Sequence, residues 1–144
     1  MRVLLSDWRL WALGSAIFAA ATALLAKAGV SGLPSNVATF LRTLVIVPML
    51  LLVIAAAGEF ATPWRVTGRS ALFLVLSGVA TGLSWLCYFR ALKLGPAARV
   101  APVDKLSVVL TAVLAAALFG ERLSPLAWAG VALIALGSLL VALA

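Results

Sequence analysis

Five long apolar runs follow one another along the chain, and short polar segments separate them. Each run is about 20 residues long, the length that an α-helix needs to cross the hydrocarbon core of a bilayer. We therefore predict an all-α fold, an integral membrane bundle of five transmembrane helices that forms one domain over residues 1–144. The predicted spans cover about 9–27, 37–57, 70–91, 98–119 and 126–143.

The turn between the last two spans carries residues that stop and start helices. Gly120 is placed to end the fourth helix, because glycine tolerates the left-handed backbone of a helix C-terminus. Ser124 and Pro125 are placed as the N-cap and the first residue of the fifth helix. These residues predict a tight turn in which the chain reverses at the membrane surface.

The first apolar run allows two interpretations. Arg2, the run itself and the small residues around 19–23 fit a secretory signal that is cleaved from the mature protein. Asp7-Trp8-Arg9 instead favours an interfacial anchor, and the run continues to Ala26, longer than the apolar region of a signal. We therefore predict a retained first span.

The composition places these helices in lipid. Of 144 residues, 65% are hydrophobic and 10% are charged, whereas soluble domains are about 45–50% apolar. The net charge of +7 does not indicate nucleic acid, because the basic residues lie singly at the ends of apolar runs. With no histidine, four carboxylates and the single cysteine Cys87, we expect no protein-ligated metal, no cofactor and no intrachain disulfide. The sequence also lacks a nucleophile–base pair, which argues against an enzyme.

Three charged residues lie inside predicted spans, Arg42 in the second and Asp104 with Lys105 in the fourth. A charge at the centre of a span costs about 2.5–3.5 kcal/mol, so such residues pair or face water and mark functional sites by default. Arg42 and Asp104 both lie roughly 9 Å below the membrane face at which the first span ends, here called the far face. We predict that they pair at a solute-binding site. The alternative is a structural salt bridge, with Lys105 extending to the headgroups.

Polar residues form a stripe along the third span. They are Ser77, Thr81, Ser84 and Tyr88, with Trp85 beside them. Their spacing of i, i+4, i+7 and i+11 puts the four on one helix face. Such a stripe either lines a water-filled cavity or seals a helix contact; we predict the cavity, since Tyr88 lies near the depth of the charges. The predicted solute pathway is Arg42, Asp104, Lys105, Thr81, Ser84, Trp85 and Tyr88.

Two pairs of glycines are candidates for close helix packing. Gly78 and Gly82 form a GxxxG pattern in the third span, and Gly130 and Gly137 share a face of the fifth. Small residues at these spacings allow helix backbones to approach closely within a membrane. We predict helix packing or dimerisation at all four, including a seam between subunits at the second pair. The alternative for that pair is ordinary lipid-facing sequence with incidental glycines.

Basic residues at the span ends are almost evenly divided between the two membrane faces. Five lie on the N-terminal face and four on the far face, when the deep Arg42 and Lys105 are left out. An excess on one side sets orientation, so the balance predicts insertion both ways and an antiparallel homodimer of ten helices. The residues are Arg2, Arg9, Arg65, Arg69 and Arg122 on the N-terminal face, and Lys27, Arg90, Lys93 and Arg99 on the far face.

Several short motifs mark a known family. They are Ala91-Leu92, the Gly95-Pro96 link, Pro102, Phe119-Gly120-Glu121-Arg122-Leu123 and the segment from Gly130 to Gly137, with Lys27 and Arg42 earlier in the chain. Through them nearly the whole chain resembles the EamA domain of the drug/metabolite transporter superfamily, in its short, single-domain bacterial form. Most members carry two such domains with inverted halves. The resemblance therefore implies that this single domain pairs with a second copy or a related short partner.

The resemblance also has limits. Small multidrug resistance proteins, which are analogous in their short single domain, work as antiparallel dimers with an essential glutamate in their first span. The first span here has no acid, so proton coupling by that route is not expected. Two-domain members commonly have proline and apolar residues where this chain has Asp104-Lys105, so their substrate sites do not carry over.

These features together predict a secondary transporter or exporter of a small metabolite in the bacterial inner membrane. It would work by alternating access as an antiparallel dimer, with the bilayer, a solute and a second copy or short relative as partners. Two deep cations against one deep carboxylate favour an anionic or zwitterionic solute. The alternatives are a component of a lipid-linked-sugar flippase, an accessory membrane subunit, or a structural protein of a larger complex.

Overall fold

The structure is a computed structural model that describes residues 7–144. Its helices are α1 (Trp8–Gly29), α2 (Ser35–Ala56), α3 (Gly68–Leu94), α4 (Ala97–Asp104), α5 (Leu106–Phe119) and α6 (Pro125–Leu143), with a short 3-10 helix at Glu59–Ala61. Five stretches are long and apolar enough to cross a membrane, with α4 and α5 together counting as one. Residues 7–144 contain no β-strand. The predicted all-α, five-span protein is confirmed; Arg2, which entered the charge balance, lies outside the described residues.

The helix ends follow the local sequence signals. Every span begins and ends within three residues of its predicted boundary. Gly120 follows α5 with φ of 68°, in the left-handed region that glycine adopts without strain. Ser124 Oγ accepts a hydrogen bond from the N–H of Ala127 at 3.2 Å, and Pro125 is the first residue of α6. Both capping predictions are confirmed.

The fourth span differs from the continuous helix predicted over 98–119. It is interrupted at Lys105, where α4 ends and α5 begins. The N–H of Lys105 is shared between Ala101 O at 3.3 Å and Pro102 O at 3.1 Å, and Val108 N–H donates to Lys105 O at 2.9 Å. Such i to i+3 bonds mark a tightened turn, and Pro102 removes a backbone donor just before it. The charged residues of this span therefore lie at a helix break.

Residues 25–93 form one compact unit. Its buried side chains come from the link after α1, the first turns of α2 and the last turns of α3, all at the far face. They are Val30, Ser35, Ala38, Thr39, Phe89 and Leu92. Lys27 Nζ donates to Leu92 O at 2.6 Å, and Lys93 Nζ donates to Leu33 O at 2.7 Å. The last carbonyls of a helix lack partners within it, so the Lys27 ammonium stabilises the end of α3.

Residues 7–24 and 94–144 form the second compact unit. Within it, α6 packs against both α4 and α5. Arg99 Nη2 donates to Ala144 O at 3.1 Å, which ties α4 to the residue after α6. Ser138 is buried, whereas Leu110 and Leu133 are 63% and 69% exposed. Large exposed apolar side chains are expected where lipid surrounds the helices.

Candidate functional site

Arg42 in α2 lies against aromatic rings of α3, within residues 25–93. Its Cζ is 4.0 Å from the centroid of the Trp85 ring and 5.6 Å from that of Phe89. Tyr88 is near enough to interact electrostatically with the guanidinium. The negative face of an aromatic ring attracts a cation, and more strongly where water is excluded. The structure thus brings together three predicted pathway residues, Arg42, Trp85 and Tyr88.

Helical spacing explains why these side chains meet. Trp85 and Phe89 are four residues apart on α3, so both project from one face of that helix. Arg42 is three residues after the buried Thr39 and seven residues, or about 10 Å, from the start of α2. Phe89 is 3% exposed and therefore belongs both to the buried core at the far face and to the surroundings of Arg42.

The positive charge of Arg42 has no carboxylate beside it within residues 25–93. The only acidic residue of that segment is Glu59, which follows the opposite end of α2. Within the same segment, the described hydrogen bonds do not include one from the Arg42 guanidinium. This half-buried cation lies over the Trp85 ring, and within residues 25–93 no described hydrogen bond uses its five N–H donors.

Asp104 and Lys105 pair with each other at the break between α4 and α5. Lys105 Nζ is 3.6 Å from Asp104 Oδ2, and the side chains are 53% and 38% exposed, respectively. Arg42 and Asp104 belong to different compact units, so their pairing stays a prediction. The sequence did not predict that this charge pair would coincide with an interruption of the helix, an arrangement that accompanies ion and solute sites in many carriers.

The polar stripe on α3 divides into two parts. Trp85 and Tyr88 are half-buried near Arg42, whereas Thr81 and Ser84 are exposed. The hydroxyl of Thr81 donates to Ser77 O at 2.9 Å, a bond within its own helix. Trp85 and Tyr88 therefore lie beside Arg42. The role of Thr81 and Ser84 as the lining of a cavity stays a prediction.

The four predicted packing glycines have open space beside them. A Cβ built at Gly78, Gly82, Gly130 or Gly137 meets no heavy atom within 4 Å beyond its own helix backbone and chain neighbours. No close neighbour is therefore described for these glycines, and helix packing or dimerisation at all four stays a prediction.

Sequence reasoning missed Phe89 and the two lysine hydrogen bonds at the far face. A signal for Phe89 was present, since it follows Trp85 by four residues and thus shares its helix face. The partners of Lys27 and Lys93 are backbone carbonyls about 60 residues away in sequence. No local pattern indicates such contacts, because every residue carries a carbonyl.

Comparison with known proteins identifies a family with which this sequence agrees. The sequence profile of the EamA-like transporter family matches residues 7–143. A protein of Sinorhizobium sp. named "Uncharacterized transporter in cobO 3'region" is 54% identical over 136 residues, which make up 94% of this chain and 96% of the relative. No solved structure matches the chain. Because the profile covers all five spans and the relative is similar over nearly its full length, the chain belongs to the EamA-like transporter family.

Proposed function

We propose that this protein is a secondary transporter or exporter of a small anionic or zwitterionic metabolite. Family membership supports transport across the membrane. The observation that carries the charge preference is Arg42, a membrane-embedded cation held on Trp85 without a carboxylate beside it in residues 25–93. A solute that brings a negative group to Arg42 lowers the cost of keeping that charge below the headgroups.

Asp104 and Lys105 are the second part of the proposed pathway. They form a close pair where α4 ends and α5 begins, inside a stretch long and apolar enough to cross a membrane. In this proposal Asp104 fixes the geometry of the cations or accepts a proton during transport. Tyr88 and Trp85 line the path beside Arg42, and Thr81 and Ser84 extend it along α3.

The working unit in this proposal is an antiparallel homodimer. The even division of basic residues between the faces supports insertion in both orientations. Two inverted copies would provide ten spans, enough to enclose a pathway between them. The open space beside Gly130 and Gly137 leaves room for a helix of the second copy.

Solute flux into proteoliposomes tests the transport proposal. Purified protein is reconstituted and offered labelled carboxylates, amino acids, phosphate esters and organic cations. We expect flux of an anionic or zwitterionic solute, lost in Arg42→Ala and in Asp104→Ala while the dimer persists. Arg69→Ala and Glu121→Ala are matched controls outside the proposed pathway and should retain flux. A folded Asp104→Ala protein with full activity would remove Asp104 from the site.

The same liposomes separate the proposal from the flippase alternative. The exposed Phe60 and Trp64 rings are 5.7 Å apart beside Arg65, a set that suits a phosphate-bearing lipid headgroup. Scrambling of labelled lipid without solute flux would support the flippase component. Neither activity would support a structural or accessory role.

Orientation is measured independently with reporter domains fused to the C-terminus. One reporter is active only in the cytoplasm and the other only in the periplasm. Dual insertion predicts that both reporters are active in cells at comparable levels. Activity of one reporter alone would exclude the antiparallel homodimer and would leave transport itself to the flux measurement.

A further inference from the structure

We propose that Arg42 recognises a planar carboxylate, so that the solute carries one carboxylate rather than a phosphate or a sulfonate. This inference rests on the proposed transport function and deepens it by naming the group that the site selects. It depends on three features, which are the position of Arg42 over the Trp85 ring, the N–H edge of its guanidinium, for which no hydrogen bond is described within residues 25–93, and the charge of α2.

The Trp85 ring lies beside the guanidinium of Arg42. Arg42 Cζ is 4.0 Å from the ring centroid, a separation at which the planar guanidinium can stack on the aromatic face, as it does in this proposal. The N–H groups of a guanidinium lie in its plane, so stacking leaves them available at the edge. A ligand that accepts two parallel hydrogen bonds at this edge fits without displacing Trp85.

A carboxylate matches this edge in shape. Its two oxygens lie in one plane at the spacing of the guanidinium fork and accept two charge-assisted hydrogen bonds. Tetrahedral sulfonate and phosphate groups can also bind a fork, but their additional oxygens lie out of the plane. On the side of the aromatic rings, those oxygens would approach the face of Trp85, which has no hydrogen-bond donor and carries negative charge density.

The local charge favours a single negative charge. Arg42 is the only charged residue of α2, and Glu59 follows the opposite end of that helix. Of the other far-face cations in residues 25–93, Lys27 and Lys93 donate to backbone carbonyls, and Arg90 is exposed. A monoanionic group neutralises one guanidinium, whereas a dianionic phosphate ester leaves a net negative charge below the headgroups. An uncompensated charge at that depth is costly, so the dianion is disfavoured.

Binding of four ligands with the same phenyl ring tests the preference. Benzoate, benzenesulfonate, phenylphosphonate and benzyltrimethylammonium differ in the shape and charge of one group. Purified protein in lipid nanodiscs is titrated with each, and thermal stabilisation gives an apparent Kd. We expect benzoate to bind at least about tenfold more tightly than the other three, because only it matches the fork in plane and charge.

A charge-conserving variant assigns the preference to Arg42. Arg42→Lys keeps the positive charge and loses the planar fork, so benzoate should bind about tenfold more weakly. Arg69→Lys is the matched control, since Arg69 lies 5.9 Å from the Phe73 ring at the opposite end of α3. It should bind benzoate as the wild type does. Because both variants share the nanodisc lipid, partitioning of the phenyl ring into lipid cancels in the comparison.

The outcomes separate this inference from the proposed function. Equal binding of benzoate and benzenesulfonate, or no binding of benzoate, would overturn the carboxylate assignment while solute flux decides transport on its own. Unchanged benzoate binding in folded Arg42→Lys would also overturn it. If that variant does not fold, the four-ligand series on the wild-type protein still decides the preference. Absence of flux for every solute would remove the proposed transport function, whatever the binding result.

Discussion

Residues 25–93 and residues 94–144 treat their positive charges differently. In the first segment, Lys27 and Lys93 donate to backbone carbonyls, and Arg42 lies on the ring of Trp85. In the second, Arg99 donates to Ala144 O, and Lys105 pairs with Asp104, where both side chains are more than a third exposed. Both segments thus bond a cation to a backbone carbonyl at a helix end. They differ in the cation inside a span, which lies on an aromatic ring in the first segment and beside a carboxylate in the second.

The buried residues are also unevenly divided between these two segments. Residues 25–93 contain six buried residues, all at the far face, whereas residues 94–144 contain Ser138 alone. Yet the spans of both segments are strongly apolar. The comparison shows that apolar character does not locate the stabilising contacts in a membrane protein, because lipid surrounds exposed leucine as readily as protein does. Substitution costs should therefore depend on burial, and should be greatest in residues 25–93.

The largest effect is expected for Leu92→Ala. Leu92 is 0% exposed, and its truncation leaves a cavity that should lower the free energy of unfolding by about 3 kcal/mol. Leu110→Ala is the matched control in residues 94–144, where the side chain is 63% exposed and the cost should stay below about 0.5 kcal/mol. Denaturation with SDS in mixed micelles measures both. Equal losses would contradict the proposed division between the segments.

The next largest effect is expected for Lys27→Met. The variant keeps an apolar stem but removes the ammonium that donates to Leu92 O at 2.6 Å. A buried helix-end carbonyl then loses its charged donor, which should lower the free energy of unfolding by about 2 kcal/mol. Lys93→Met removes a comparable bond to Leu33 O from an exposed lysine, so its cost should be about 1 kcal/mol or less. The same SDS titration ranks the two, and a larger loss for Lys93 would reverse this assignment.

Much of the fold could be predicted from the sequence, because its determinants are local. Span length and apolar content identify membrane helices, and the caps at Gly120 and Ser124 depend on residues close by in the chain. Arg42 was recognisable as a candidate site residue because a charge inside an apolar run is costly wherever the helix lies. The interruption at Lys105 was not predicted, since neither hydropathy nor the position of Pro102 specifies a tightened turn three residues later.

The immediate surroundings of the site were only partly predictable. Trp85 and Tyr88 were found through helical spacing, but the ring contact of Arg42 depends on how α2 and α3 pack, which no single helix specifies. The lysine bonds were missed for the same reason. The sequence predicted Asp104 as the partner of Arg42, and that pairing stays a prediction. Within residues 25–93 the structure shows an aromatic partner, which the sequence did not predict and which can also satisfy a membrane-embedded cation.

A smaller effect is expected for Ser124→Ala at the start of α6. The hydroxyl accepts from Ala127 N–H at 3.2 Å, and its loss leaves that helix-end donor without a cap, at a cost of about 1 kcal/mol. Ser124→Asp restores an acceptor and should recover most of the loss. The measurement tests whether helix caps in residues 94–144 contribute more to the free energy of unfolding than buried side chains of that segment do. No change in Ser124→Ala would show that this cap is dispensable.

The smallest effect on a single chain is expected for Gly137→Ala. A methyl group here meets nothing within 4 Å, and alanine favours helix over glycine, so the monomer should gain about 0.5 kcal/mol. If Gly130 and Gly137 form the seam with a second copy, the same methyl separates the two backbones and weakens the dimer. Gly14→Ala, equally unhindered in α1 and outside the predicted packing glycines, is the matched control. Dimer dissociation in micelles, followed by fluorescence energy transfer between labelled copies, should change for Gly137→Ala and stay near wild type for Gly14→Ala. The same dissociation in both variants would remove the seam from α6, and loss of monomer stability in either would contradict the open space beside these glycines.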